Sequence, residues 1–330
     1  MIVLRHSDVG DILSGSEAEI LDVVRDAYRL HDRGESALPH SVFLRFPGNE
    51  RDRIIGLPAH LGGDSPVAGM KWIASFPGNI ERGIERASAS ILLNSLETGR
   101  PEALVEGSQI SAKRTAASAA VAAELLTGAD QPVGVGLIGC GVINLEVFRF
   151  LAVVLPGLRE VTLFDTDPAR ARRFAESCEA LAPGLEVAFA ATVDEAVAAH
   201  PLISIATTAS SPHMDLTACQ PGSVVLHVSL RDLRVETVLA VRNVVDDVDH
   251  VCREQTSLHL AEQQTGDRAF VDASIGALLR GTATLDRKPH ETVVFSPFGL
   301  GILDMALAEF VRREAVSRGL GIAVDDFSAR

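Results

Sequence analysis

Apolar residues Ile20, Val23, Val24, Ala27 and Tyr28 recur at three- and four-residue intervals behind the capping-box pattern Ser16-Glu-Ala-Glu19. This predicts an amphipathic helix running to about Gly34. Short apolar runs then alternate with Pro and Gly: Ser41-Val-Phe-Leu-Arg-Phe46, Arg53-Ile-Ile-Gly-Leu57 and Val67-Ala-Gly-Met-Lys-Trp-Ile73. That pattern predicts strands of a mainly antiparallel sheet joined by turns. Two helices are predicted next, around Ala87–Glu97 and Ser111–Leu126, the second rich in alanine and suited to close packing on a sheet. Past the turn-rich link Thr127-Gly-Ala-Asp-Gln-Pro132 the pattern changes. Strand-like runs at 133–138, 160–165, 185–190, 202–207, 223–230 and 243–248 interleave with helical periodicity at 142–154, 168–181 and 193–200. Buried strands alternating with helices specify a parallel sheet covered on both faces. After about residue 250 the pattern is irregular until Asp304–Arg318, which predicts a final amphipathic helix returning to the first domain.

One segment adds chemistry to this frame. Val133-Gly-Val-Gly-Leu-Ile-Gly-Cys-Gly141 is a buried strand running into a glycine turn, and Val142-Ile143-Asn144 opens a helix. Such a turn points backbone N–H groups at a pyrophosphate. About 24 residues further on, Glu160-Val-Thr-Leu-Phe-Asp165 reads as the next strand, ending in a carboxylate. An acid there accepts hydrogen bonds from a ribose and repels a 2′-phosphate, so NAD is expected rather than NADP. The third glycine of the dinucleotide fingerprint is replaced by Asn144, which implies a slightly wider helix–strand approach. The fold class expected is therefore α/β, a Rossmann-type doubly wound parallel-sheet domain over 128–303 with an α+β domain over 1–127. The latter is joined by the segment 304–330.

Composition narrows the function classes. A length of 330 residues suits two domains, and 47% hydrophobic with 22% charged residues describes a globular chain. A net charge of −14 argues against a nucleic-acid partner. No run is long enough to span a bilayer, and charge within Met1–Asp8 does not fit a secretory signal. Cys140, Cys178, Cys219 and Cys252 are too scattered for a metal site and are expected as reduced thiols of a cytoplasmic protein.

Several polar residues stand where chemistry is possible. Lys71 lies inside an apolar strand, so its ammonium either snorkels to water or faces a functional cavity. Arg114 stands among small residues near a helix start, either solvated or offering its planar fork to a carboxylate. Thr207 follows the fourth strand of the nucleotide fold and is expected near the nicotinamide half. Ser229-Leu-Arg231-Asp232 ends the fifth strand, where Asp232 either moves a proton or caps a helix. Ser296-Pro-Phe-Gly-Leu-Gly301 is a glycine-bearing loop ahead of the last helix, either closing on the nicotinamide or simply turning.

Gly-Met-Lys71-Trp, Ser-Ala-Lys-Arg114-Thr-Ala-Ala, Gly-Cys-Gly141, Thr207 ahead of Pro212, and Ser296-Pro-Phe-Gly-Leu-Gly-Ile-Leu-Asp304 together resemble the ornithine cyclodeaminase/mu-crystallin family over essentially the whole chain. Phe76-Pro-Gly-Asn-Ile-Glu-Arg-Gly, Ser229-Leu-Arg-Asp-Leu and Asp246-Asp-Val-Asp-His resemble one branch of it. That branch oxidises an N-substituted glutamate to 2,3-diaminopropionate and 2-oxoglutarate with NAD, for siderophore and peptide-antibiotic biosynthesis. The resemblance implies a homodimer built through the first domain's sheet and a small anionic amino-acid substrate. It implies that Lys71 and Arg114 hold the substrate carboxylate and that the first domain is the substrate-binding one. Two departures stand out. Where cyclodeaminases carry a proton-moving aspartate this chain has Arg231, with Asp232 one residue later, and His40-Ser41 follows Pro39 where relatives have an arginine. Asp232 is then the expected base beside Lys71, Arg231 is free to bind a further carboxylate, and Arg45 takes over the missing arginine's work. The expected cofactor set is Gly139, Gly141, Val142, Ile143, Asn144, Asp165, Thr207, Ser229 and Gly301, with no metal. Open alternatives are a cyclodeaminase, an imine or amino-acid dehydrogenase, and a non-catalytic dinucleotide-binding protein of the mu-crystallin kind.

Overall fold

The first residues already pair: β1 (Ile2–Leu4) runs parallel to a later strand, and α1 (His6–Leu13) and α2 (Glu17–Asp32) follow it. The helix predicted from Ser16 is α2, which buries Ile20, Leu21, Val24, Ala27 and Tyr28. Next come β2 (Ser36–Ala37), β3 (Val42–Phe46), β4 (Asn49–Leu61), β5 (Val67–Ser75), β6 (Ala87–Asn94) and β7 (Pro101–Glu106), then α3 (Ser108–Thr127). This computed structural model describes residues 1–129 and 131–327, the side chain of Glu50 excepted. Asp130 of the expected link and Ser328–Arg330 of the returning segment lie outside the described residues.

One sequence expectation is overturned here. Residues Ala87–Asn94 form a strand and not a helix, paired antiparallel with both β5 and β7. Ala89, Ile91 and Leu93 are buried while Ser88 and Ser90 are exposed, a two-residue period. The small side chains of Ala-Ser-Ala-Ser muted that alternation, and pairing with two neighbours settles the state.

The second half of the chain is β8 (Gly134–Ile138), α4 (Val142–Val154), β9 (Glu160–Phe164), α5 (Pro168–Leu181), β10 (Glu186–Phe189), α6 (Val193–Ala199), β11 (Leu202–Ile205), β12 (Val224–His227), α7 (Val235–Ala240), β13 (Arg242–Val245), α8 (Val248–Val251), α9 (Ser257–Thr265), β14 (Val271–Ser274), α10 (Ile275–Arg280) and β15 (Val293–Ser296). The strands form one parallel sheet in the order β10-β9-β8-β11-β12-β15-β13-β14. From β8 the chain winds outward to β9 and β10, then returns to β11 on the other side. The C-terminal ends of β8 and β11 are therefore the switch point where doubly wound sheets bind ligands. Strands β8, β11, β12 and β15 are buried throughout, as a sheet covered on both faces requires.

Helix α11 (Gly301–Arg318) and β16 (Ile322–Ala323) close the chain. Two units result: Met1–Arg114 with Leu300–Arg330, and Thr115–Gly299. The division falls inside α3, ahead of the turn-rich stretch at Thr127. In the first unit the sheet order is β16-β1-β7-β6-β5-β4-β2, with β3 also on β4. Helix α11 packs against β4, β5 and β6 and against α1 and α2. Flanked in this way it buries Gly301–Met305, Leu307, Ala308, Val311 and Ala315, more of its circumference than an amphipathic stripe. Among the described residues no helix is long and apolar enough to cross a membrane.

Candidate active site

In the second unit the glycine turn is built as its sequence requires. Gly139 has φ +90°, and a Cβ there would stand 2.4 Å from the Ala206 carbonyl oxygen, so only glycine lets the turn lie against the end of β11. Gly141 is the N-cap of α4 and its side-chain position faces open space. No side chain caps the helix, which leaves the first-turn N–H groups of Val142, Ile143 and Asn144 directed as a phosphate requires. The residues present thus fit a dinucleotide.

Asn144 works differently from its sequence expectation. It is fully buried, its amide donates to the carbonyls of Ile138 (2.9 Å) and Gly139 (2.8 Å), and its oxygen accepts from Ser204 (2.7 Å). It braces the turn between β8 and β11, and only its backbone remains for a ligand. Asp165 also supports the turn, accepting from the N–H groups of Cys140 and Asp167, each at 2.8 Å. Each carboxylate oxygen keeps another acceptor site, so ribose hydroxyls remain compatible with it.

At the ends of β11 and β12 a second cluster surrounds Asp232, which has no exposed surface. Its Oδ1 accepts from the Thr207 hydroxyl and lies 3.3 Å from His213 Nε2. Its Oδ2 accepts from the Ser229 hydroxyl and lies 3.2 Å from His227 Nε2. Burial alone raises the Asp232 pKa, but His227, through a hydrogen bond and its charge, together with Ser229 and Thr207, overcomes this. The carboxyl is held well below the usual carboxylate range. His227 is fully buried, with Nδ1 3.2 Å from Ser296 Oγ, whereas the His213 side chain is 40% exposed. The carboxylate is thus an anion clamped between two imidazoles, and His213 is the member that meets solvent.

The Ser229–Asp232 turn is strained and anchored. Leu230 is buried at φ +69°, a conformation that non-glycine residues avoid. Its carbonyl accepts from Ser257 N–H at 2.7 Å, and Arg231 Nη2 donates to the Glu254 carbonyl at 2.7 Å. Arg231 therefore ties the turn down through one guanidinium nitrogen. Ser229 likewise gives its hydroxyl to Asp232. Asp246, noticed in the sequence only as part of a branch signature, is buried and accepts from the N–H groups of Phe298 (2.9 Å) and Gly299 (2.7 Å), holding the loop after β15.

In the first unit, Lys71 on β5 is 1% exposed and its ammonium lies 2.7 Å from Asp304 Oδ2. Arg114 on α3 donates to Asp304 Oδ1 at 3.1 Å, and Lys71 also donates to Ser111 Oγ at 3.2 Å. Burial lowers the Lys71 pKa to about 8, Asp304 pulls it up, and Arg114 opposes protonation. Two cations around one anion leave one positive charge shut away from water. Gly301, at the start of α11, is closely packed: a Cβ there would stand 3.3 Å from Ala59 Cβ and 3.4 Å from the Leu57 carbonyl oxygen. Arg45 lies on β3 with its guanidinium 5.5 Å from the Phe43 ring centre. Sequence reading missed His213 and Asp304 as participants. The first offered only its place just after Pro212, and the second was quoted only as the end of a motif.

The model of the ornithine cyclodeaminase/mu-crystallin family matches residues 1–319. The chain belongs to that family. Among curated members it is 27% identical to N-((2S)-2-amino-2-carboxyethyl)-L-glutamate dehydrogenase of Staphylococcus aureus over 331 residues, 98% of each chain. Among solved members, Delta(1)-pyrroline-2-carboxylate reductase of Thermococcus litoralis, in complex with NADH and L-proline, superposes with TM-score 0.90 at 26% identity, covering 98% of this chain and 100% of that one. An archaeal alanine dehydrogenase dimer with bound NAD gives TM-score 0.88 at 26% identity, covering 99% of both. The ornithine cyclodeaminase/mu-crystallin scaffold therefore extends along essentially the whole chain.

Proposed function

We propose that this family member is an NAD-dependent oxidoreductase acting on the CH–NH bond of an amino acid, with N-(2-amino-2-carboxyethyl)-L-glutamate as substrate. Oxidation at the glutamate α-carbon and addition of water release 2-oxoglutarate and 2,3-diaminopropionate, with NADH and a proton as co-products. The observation that carries the reading is the buried Lys71–Asp304–Arg114 cluster. Its single excess positive charge is satisfied by a carboxylate, and a buried charge left without one is costly. The activity for which the Staphylococcus aureus relative is named, a protein matched along 98% of both chains, supports the choice of substrate.

Gly139, Gly141, the first-turn N–H groups of Val142, Ile143 and Asn144, Asp165 and Thr207 hold the dinucleotide in this reading. When bound, the nicotinamide supplies the acceptor for a hydride. Lys71 and Arg114 fix the carboxylate beside the reacting carbon, and Arg45 adds a further cation from β3. The amine must lose its proton before its lone pair can assist oxidation. In the second unit Asp232 is too strongly held as an anion to accept a proton near neutrality, and His213 beside it, 40% exposed, is the group of that unit suited to proton exchange. The exposed apolar residues Val42, Leu44 and Trp72, on one face of β3 and β5, support a homodimer through the first unit's sheet.

The test is a panel assay following NADH absorbance and keto-acid release with the N-substituted glutamate, ornithine, alanine and proline. NADH and 2-oxoglutarate in equal amounts from the first alone is the expected result. Ornithine consumed without net NADH would instead identify a cyclodeaminase, and tight NADH binding without turnover of any substrate would identify a binding protein.

A further inference from the structure

His227 ends β12 with no exposed surface, and the two nitrogens of its ring meet three polar groups. Nδ1 lies 3.2 Å from the hydroxyl of Ser296, which ends the neighbouring strand β15 and is also fully buried. Nε2 lies 3.2 Å from Asp232 Oδ2 and 3.3 Å from the Asp232 backbone nitrogen. One nitrogen cannot serve both. Carrying a proton, Nε2 donates to the carboxylate and gives the backbone N–H nothing to bond. Bare, it accepts that N–H and turns a lone pair toward an anion. Ser296 suits either state, because a hydroxyl both donates and accepts.

The donors around the carboxylate decide between the two. The Thr207 oxygen accepts from Ala209 N–H at 3.0 Å, so its proton is free for Asp232 Oδ1. Ser229 has one proton and two acceptors, Asp232 Oδ2 and the Ile205 carbonyl at 3.2 Å. Oδ2 therefore depends on His227 more than Oδ1 does. A buried carboxylate needs donors, and a hydrogen bond to a charged group is stronger than one to a neutral acceptor. The backbone N–H is the cheaper group to leave unserved.

We propose that His227 is a positioning residue that carries a proton on Nε2 and gives it to Asp232 Oδ2, fixing the carboxylate with Oδ1 toward His213. The main chain of Asp232 acts in the same sense, since its carbonyl accepts from the N–H groups of His213 (2.9 Å) and Met214 (3.1 Å). With His213 Nε2 donating to Oδ1, the proton-accepting atom of that imidazole is Nδ1. Ser296, through the ring, orients a carboxylate that it does not touch. This rests on the reading of His213 as the proton exchanger of the second unit and names the residue behind it.

Two measurements test the assignment. The first needs no substrate. Full-length protein carrying 15N in its histidine rings is observed by NMR, and the His227 signals are those lost in His227→Gln. A proton on Nε2, shifted downfield and lost from that position in Asp232→Asn, is expected. A neutral ring protonated at Nδ1 with a bare Nε2 would overturn the proposal. Should His227→Gln not fold, the fully buried ring is identified by the slowest exchange with deuterium. The second compares amides that replace the two nitrogens separately. Glutamine places an N–H donor near the position of Nε2, and asparagine near that of Nδ1. His227→Gln should keep kcat within about threefold of wild type, whereas His227→Asn should lose about 10- to 100-fold at neutral pH. In His227→Asn the less well solvated carboxylate holds the His213 proton harder, so the rising limb of the kcat–pH profile should move up by about one pH unit. The other charged groups on this cluster stay as they are: Arg234 on the His213 carbonyl and Asp215, and Arg231 on the Glu254 carbonyl. Equal losses in both variants with an unshifted limb would reduce His227 to a packing residue. Absence of turnover of the N-substituted glutamate in wild type refutes the proposed reaction, while the ring spectrum still decides the role of His227.

Discussion

At Lys71 the balance between burial and pairing sets a working range of pH. The ordinary lysine pKa of 10.5 falls to about 8 in the folded chain. The unfolded chain therefore binds more protons between those values, and the contribution of Lys71 to stability rises with pH across that interval. Substrate binding runs the other way, because the carboxylate needs the ammonium form. Substrate affinity is expected to fall above about pH 8, by up to about tenfold per pH unit, and Lys71→Arg should abolish the inflection. The pH dependence of KM in both proteins checks this. Asp232 makes a second residue-scale prediction. Replacing it with Asn removes the anion that orients His213 and His227, so kcat should drop by about 10²- to 10⁴-fold. NADH affinity, followed by fluorescence, should stay as it is. Normal turnover of Asp232→Asn would exclude the Asp232–His213 pair from proton transfer. His213→Gln should reproduce the loss in kcat.

The turn between β8 and α4 shows how an element can honour a motif while departing from its letters. Asn144→Gly restores the third glycine of the fingerprint, yet it is expected to weaken the protein. Three hydrogen bonds disappear and the Ser204 hydroxyl is left buried without its acceptor, a loss of about 1–3 kcal/mol. Chemical denaturation together with NADH titration measures both consequences. Strand and helix periods made most of these elements readable in advance. The β8 turn and α2 followed directly from apolar spacing and capping residues. Ala87–Asn94 did not, since its small side chains carry little periodic signal and its pairing partners lie in β5 and β7. Helix α11 was located but its surroundings were misjudged, because a helix packed on two sides loses the polar stripe that marks a surface helix.

At the scale of the whole molecule, the face of the first sheet opposite Lys71 predicts assembly. Val42, Leu44 and Trp72 are exposed there at 63%, 43% and 39%. The double substitution Val42→Glu and Trp72→Glu should turn a dimer into a monomer in sedimentation velocity, with the fold retained by circular dichroism. Apolar periodicity, the Gly139–Gly141 turn and the acid at Asp165 were enough to determine a doubly wound nucleotide unit beside an antiparallel one, since those signals act within a few residues of chain. Lys71 and Arg114 were also identifiable as charges in an apolar strand and among small residues. Only the tertiary structure decided that Asp304 stands between them, 190 residues from Arg114, and that Asp232 is an anion held by His213 and His227. The physical reason is range. Backbone preferences and burial patterns are written locally, whereas the charge state of a buried group depends on neighbours that arrive from distant elements when the core closes.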